Sequence, residues 1–363
     1  MSSPDDLFSH TVPEAHARFV DACAAAGIEV EVVPHPLAGP SGETLHSAVA
    51  RLGPDDASTV LLVISGTHGI EGYFGAAMQT DALRRHRERL PLPDDTAVVF
   101  VHLVNPWGTA WSSRENEDNV ELLRGHYFCH HPAPPNPIFT DFHETMAYGR
   151  MRSIDELLSA RGRARELVER HGVGPLMEAI AAGQAEHPDA ITWVGDGPTW
   201  SKRLLDRVAV AHLGSARKLL VLDLHTAVGP PGETVVFHPY APGFADDELF
   251  TEHLGEQWPN TERLDFYDWF ADGRPQLAVR TLTCEAGTEQ LGPADQYIFP
   301  LDVWIKLHGD RDDPSAAPHL ARYRRFFYPE TEEWMHSVHA HFVRRWPGVL
   351  GLLAAPWTGT SPV

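Results

Sequence analysis

Val60 to Ile64 is an unbroken apolar run, and it stops at Ser65-Gly66-Thr67-His68-Gly69-Ile70-Glu71-Gly72. No other stretch constrains the fold as strongly. A strand with one wet face alternates, so a continuous run marks a central strand buried on both sides. The glycines turn the chain out of that strand, and Phe74 to Arg85 follows as a helix. The C-terminal edge of a buried sheet stays open to solvent and substrate. A histidine and a glutamate placed there, three residues apart between glycines, are expected to be two of three zinc ligands.

The same rhythm recurs along the chain. Thr96 to Val104 is a second buried strand and ends in Asn105-Pro106-Trp107-Gly108, a turn signal. Lys218 to Leu224 is a third, closing on Asp223-Leu224-His225-Thr226, and Leu277 to Cys284 is a fourth, running into Glu285. Glu29 to Pro34, the segment around Thr44 to Arg51, and Val235 to His238 are further strands. Pro13 to Ala26, stopped by Gly27, reads as a helix, as do Ile154–His171, Gly174–Gly183, Ser201–His212, Leu301–His308, Ala317–Phe327 and Glu330–Trp346. The pattern predicts one α/β domain over residues 1–363: a mixed, mostly parallel central sheet with helices on both faces. Residues 112–148, rich in histidine and proline, are expected to form a long functional loop. A helical section follows over 150–213, and a loose tail ends the chain.

Charge narrows the partners. A net charge of −21 argues against nucleic acid, whose phosphates need a basic surface, and against an anionic membrane. No basic-then-apolar leader and no run of about 18 apolar residues is visible. Cys23, Cys129 and Cys284 form no CxxC pair and no disulfide framework. The expected home is the reducing cytoplasm.

A hydrolytic zinc site needs three His or carboxylate ligands and one open position. His225, at the end of its strand, is the natural third ligand beside His68 and Glu71. Asp223, two residues earlier on the same strand face, could orient it through a hydrogen bond. Glu285, at another strand end, could act as general base, with Glu289 a less well placed rival. A tetrahedral intermediate also needs a positive group near its oxyanion; Arg114 and Arg124 lie in the polar segment after Asn105-Pro106-Trp107-Gly108, but composition alone does not single them out. His126, Cys129, His130 and His131 read as loop or cleft residues rather than a second metal site, and Cys284 as core filling.

Five motifs stand in order: Gly66-Thr67-His68-Gly69-Ile70-Glu71, Asn105-Pro106-Trp107-Gly108, Arg114 to Leu122, Asp223-Leu224-His225-Thr226 and Thr283-Cys284-Glu285. Together they resemble the zinc carboxypeptidase superfamily (carboxypeptidase A-like), most closely an uncharacterised bacterial branch described only as a domain of unknown function. The opening segment Phe8 to Gly27 shares that likeness. The resemblance implies a carboxypeptidase-like fold and one Zn2+ held by His68, Glu71 and His225. It also implies Glu285 as base, Arg114 on the scissile carbonyl, and Asn105 and Arg124 against the substrate.

In the family an Asn-Arg pair grips the substrate's carboxylate; here it reads Leu123-Arg124. Each charge-assisted hydrogen bond lost from such a clamp is worth about 1.5–3 kcal/mol. The family's catalytic tyrosine has no clear match, Tyr240 and Tyr267 being the candidates. The expected function is zinc-dependent hydrolysis of an amide bond beside a carboxylate, in a small molecule or short peptide. The glycine-rich and Asp-Leu-His segments also resemble the aspartoacylase and succinylglutamate desuccinylase group, so deacylation of an N-acyl amino acid is the alternative. A metal-retaining binding protein on the same scaffold is the other.

Overall fold

The structure is a computed structural model and describes residues 6–241, 243–255, 264–290, 298–309 and 311–358. Seven strands form one sheet: β1 (Val30–Ala38), β2 (Thr44–Leu52), β3 (Thr59–Ser65), β4 (Thr96–His102), β5 (Lys218–Ala227), β6 (Thr234–Phe237) and β7 (Ala278–Gly287). Their spatial order is β1-β2-β4-β3-β5-β7-β6. The four central strands, β4, β3, β5 and β7, run parallel. The edges, β1-β2 and β6, are antiparallel. A mixed, mostly parallel sheet is therefore present, as expected.

The two faces are covered by different crossovers. From β3 the chain passes through the helix Gly72–Arg84, whose Tyr73, Phe74, Ala77 and Met78 join Leu61, Val63, Leu220 and Leu222 in one core layer. From β4 it returns past β3 through the helix Trp200–His212, whose Leu204, Leu205 and Val208 meet Val60, Leu62, Ile64 and Val221 on the other face. Alternate residues of β3 thus enter opposite cores, so its apolar run has no gap. Because the connections from β3 and into β5 leave on opposite sides, the ends of these two strands form the topological switch point, where open α/β sheets bind their ligands. His68 follows β3 and His225 lies near the end of β5.

Most helices lie where expected. The helix Val12–Ala26 ends at Gly27, which takes the left-handed conformation at φ 73° that lets its amide close the last turn. Three expectations change. The 112–148 stretch contains the helices Leu122–Phe128 and Pro137–Met146, not an unbroken loop. Glu121 and Asn136 cap their first turns, and Pro137 occupies a first-turn position where its missing N–H costs nothing. Asn105-Pro106-Trp107-Gly108 likewise begins a short helix, Pro106–Ala110.

The C-terminal helix Glu332–Ala354 continues through Pro347 where a loose tail was expected. Proline forfeits one helical bond there, but Trp346, Val349, Leu352 and Leu353 stay packed in the core. Residues 359–363 of that tail lie outside the described residues.

Candidate metal centre

The turn after β3 is shaped by close backbone packing. Gly69 sits so near the helix Pro106–Ala110 that a Cβ would lie 2.3 Å from the Gly108 carbonyl carbon and 2.6 Å from the Ser113 oxygen. The Gly69 and Ile70 amides donate to the Arg114 and Ser113 carbonyls, both at 2.9 Å. Thr109 Oγ1 donates to the Gly69 carbonyl at 2.7 Å. These contacts lock the His68–Glu71 turn against the loop that carries Arg114, so one fold places both.

Three buried groups converge there. His68 Nδ1 lies 3.1 Å from Glu71 Oε1, and His225 Nδ1 lies 3.1 Å from His68 Nδ1 and 3.0 Å from Glu71 Oε2. Each opposite ring nitrogen has a carboxylate beside it. His68 Nε2 meets Glu121, and Asp223 Oδ2 is 2.7 Å from His225 Nε2. Asp223 is itself held by the Thr67 hydroxyl at 2.9 Å and the Tyr267 hydroxyl at 2.6 Å. Two imidazoles oriented by carboxylates, with one carboxylate between them, fit the His and Glu donor set of a hydrolytic zinc site.

Burial and neighbouring charges compete at each group of the cluster. Burial would raise the Glu71 carboxyl, but His68 and His225 hold it well below the usual range. Burial would lower His225, yet Asp223 and Glu71 hold it well above its ordinary value. Burial pushes Glu285 well above the carboxylate range; His225 pulls the other way and Glu71 adds to the rise. Glu285 belongs to β7 itself, not to the loop beyond it, because pairing with β5 and β6 extends that strand to Gly287. It is the register partner of His225, and its carboxylate accepts from the Val228 amide at 3.3 Å.

Arg114 reaches the same cluster. Its guanidinium lies 2.8 Å from His68 Nε2, 3.2 Å from Glu121, 3.0 Å from Glu115 and 3.9 Å from Glu71. Burial would weaken its charge, but Glu121, Glu115 and Glu71 outweigh that and hold its pKa above the ordinary value. The loop beneath it is fixed by Asp302, which accepts from the Arg114 amide at 3.2 Å and the Ser113 hydroxyl at 2.7 Å. Tyr323 also accepts from the Arg114 amide at 3.1 Å.

Arg124 is joined to the cluster through Glu121, at 3.2 Å, and is buried over the Phe266 ring. Leu123 is buried in the apolar layer that also holds Leu204, Val208 and Phe266. Asn105 caps the helix Pro106–Ala110 through its Oδ1, and its Nδ2 has no partner among the described residues.

Several residues were not singled out from sequence. Glu121 is the centre of the charge network, touching His68, Arg114 and Arg124, although it stands inside a motif already quoted. An acidic residue between Val120 and Leu122-Leu123 was the available signal, since a carboxylate among apolar neighbours needs buried partners. Asp302 and Tyr323, far along the chain, carried no such signal. Of the two tyrosine candidates, Tyr240 donates to Asp265 at 2.8 Å, and Tyr267 donates to Asp223, the carboxylate behind His225.

The loop histidines do not gather. His126 is fully buried, whereas His130 and His131 approach Asp272 at 2.6 Å and Asp268 at 3.2 Å. Glu289 meets Arg322 instead of the site. Cys284 lies in the apolar layer on the sheet face opposite Glu285, and burial pushes its thiol up. That is the environment of core filling.

Residues 8–341 match a family described as protein of unknown function (DUF2817). The chain belongs to that family. No curated protein matches it. Among solved structures, this DUF2817 chain is similar to bovine thrombin-activatable fibrinolysis inhibitor, at 10% identity and TM-score 0.45, over 96% of this chain and 97% of the other. It is similar to carboxypeptidase A from Helicoverpa armigera, at 11% identity and TM-score 0.42, over 88% and 75%. It is also similar to succinylglutamate desuccinylase from Chromobacterium violaceum, at 12% identity and TM-score 0.34, over 86% and 74%.

Proposed function

We propose that this chain is a zinc-dependent hydrolase that cleaves an amide bond beside a carboxylate, acting as a single catalytic unit of the zinc carboxypeptidase type. The observation that carries the reading is the meeting of His68 Nδ1, His225 Nδ1 and the Glu71 carboxylate, with a second carboxylate behind each histidine. Bound by these three, one Zn2+ would supply Lewis-acid polarisation of a carbonyl and a water.

The chain's own residues do the rest. A cation held by the three ligands would favour the ionised form of Glu285; that carboxylate, one strand over from His225, takes the proton of the attacking water and returns it to the leaving amine. Arg114 offers guanidinium donors to the oxygen on which negative charge develops. Glu121 and Asp223 keep both imidazoles turned with Nδ1 inward. Arg124 and Asn105 are assigned to the carboxylate end of a small or short-peptide substrate. Arg124 is shared with Glu121 and the neighbouring Leu123 is apolar, so this hold is weaker than a paired clamp. That favours keeping deacylation of N-acyl amino acids beside carboxypeptidase action.

Among the described residues no helix is long and apolar enough to cross a membrane. The three unpaired cysteines support a reducing compartment, the cytoplasm. The zinc-loaded protein should hydrolyse either C-terminal peptides or N-acyl amino acids, and lose that activity to a chelator. If the loaded protein cleaved neither class, the hydrolase reading would fail in favour of a metal-retaining binding protein.

A further inference from the structure

We propose that His143, His187 and Asp189 form a second metal site, for a borderline divalent cation such as Zn2+. It would staple the helix Pro137–Met146 to the segment that follows the helix Val173–Ala182. The three side chains come from two stretches 44 residues apart and offer ligand atoms that all lie within 4.8 Å of one another. His143 Nε2 is 3.6 Å from Asp189 Oδ1. The two imidazoles stack, with centroids 4.1 Å apart and planes 20° apart.

Several observations point to a ligand rather than to a finished hydrogen-bond network. His143 Nδ1 is buried without a partner. Among the described residues no lysine or arginine forms an ion pair with Asp189; its ion-pair neighbour is His143. A cavity of about 90 Å³ opens beside His187, lined in part by Thr140, Glu186 and Asn136. His187 Nε2 faces Thr140 Oγ1 at 3.4 Å and Glu186 Oε2 at 4.0 Å across it. The cavity leaves room for water or Glu186 as a further ligand.

Two nitrogens and a carboxylate oxygen suit Zn2+, whereas Mg2+ and Ca2+ take oxygen ligands. Stacked rings do not aim their in-plane lone pairs at one point. Binding therefore turns one ring about its Cβ–Cγ bond, and His187 is the ring that borders the cavity.

The staple would brace the first site. The Asn119 side-chain Nδ2 donates to the Pro188 and Ala190 carbonyls, both at 3.0 Å, and the Glu121 backbone amide donates to the Trp193 carbonyl at 2.8 Å. The segment that a metal would pin is thus the one that backs Glu121, the carboxylate behind His68.

The test is calorimetric titration of chelator-stripped protein with Zn2+, paired with thermal melting. The wild type should bind two equivalents, H143A/H187A one, and H68A/H225A one. D189N, which keeps the side chain's shape, should weaken the second equivalent at least tenfold while leaving the first. The second equivalent should raise the melting temperature of the wild type and not of H143A/H187A. A single equivalent in the wild type, abolished by H68A/H225A, would overturn this site and leave the hydrolase reading intact. So would two unchanged equivalents in H143A/H187A.

Discussion

His225 and Glu285 are register partners on the adjacent parallel strands β5 and β7, so one ladder sets a proposed metal ligand and the proposed base side by side. In a parallel pair, register partners project to the same face of the sheet. Their separation therefore depends on the backbone of two buried strands and not on a loop. Asp223, two residues earlier on β5, falls on that same face behind His225.

This relationship predicts the behaviour of Glu285→Gln. The amide keeps the shape of the side chain but cannot carry the proton. Turnover should fall by about 10²–10⁴-fold, while the zinc bound by His68, Glu71 and His225 stays at its wild-type content by elemental analysis. Undiminished turnover would remove Glu285 from the mechanism.

Glu121→Gln should weaken both metal and fold. One buried carboxylate meets His68, Arg114 and Arg124, and it also caps the Arg124 amide at 2.9 Å. Removing its charge leaves buried guanidiniums without part of their counter-charge, at about 3 kcal/mol of stability. Zinc affinity should drop about 10–100-fold. Denaturant unfolding and competition with a chelator measure the two effects; an unaltered zinc affinity would contradict the orienting role.

Leu123→Asn restores the residue of the family clamp, yet it should not restore a clamp. The side chain is buried among Leu204, Val208 and Phe266, so the amide would enter an apolar layer. The variant should lose about 2–3 kcal/mol in denaturant unfolding and gain no activity on C-terminal peptides. A stable variant with new carboxypeptidase activity would show that position 123 faces substrate.

Lys218 should leave a mark on stability in alkali. Its ammonium is tied to the Leu353 carbonyl at 2.6 Å and to that of Ala355, above the Trp357 ring. Burial, opposed by Asp246, pushes it down to about 8 from an ordinary 10.5. Between those values the unfolded chain binds more protons than the folded one, so stability rises with pH there. Lys218→Met should flatten that part of the rise. Unfolding curves for both proteins at pH 7 and pH 10 make the comparison, and parallel changes in the two would refute it.

The apolar run of β3, the glycines after it and the strand-end motifs were legible because burial on both faces and tight turns leave marks in neighbouring residues. His68, Glu71 and His225 could be picked out for that reason, as could the mixed, mostly parallel sheet. The helices within 112–148 were obscured by prolines, which begin helices as readily as they exclude them. The path through Pro347 was obscured because packing against a distant core, and not local preference, holds that helix together.

What only the tertiary structure decided is which partners those residues meet. The ladder between β5 and β7 sets Glu285 against His225, and the fold brings Asp302 and Tyr323 from the far end of the chain under Arg114. Contacts between residues 188 and 209 positions apart leave no local period or spacing to read. The sequence by itself determined the sheet, its strand ends and the kinds of side chain that stand there. The tertiary structure decided that Glu121 joins them into one charge network, because a buried carboxylate takes its partners from whatever the fold brings within reach.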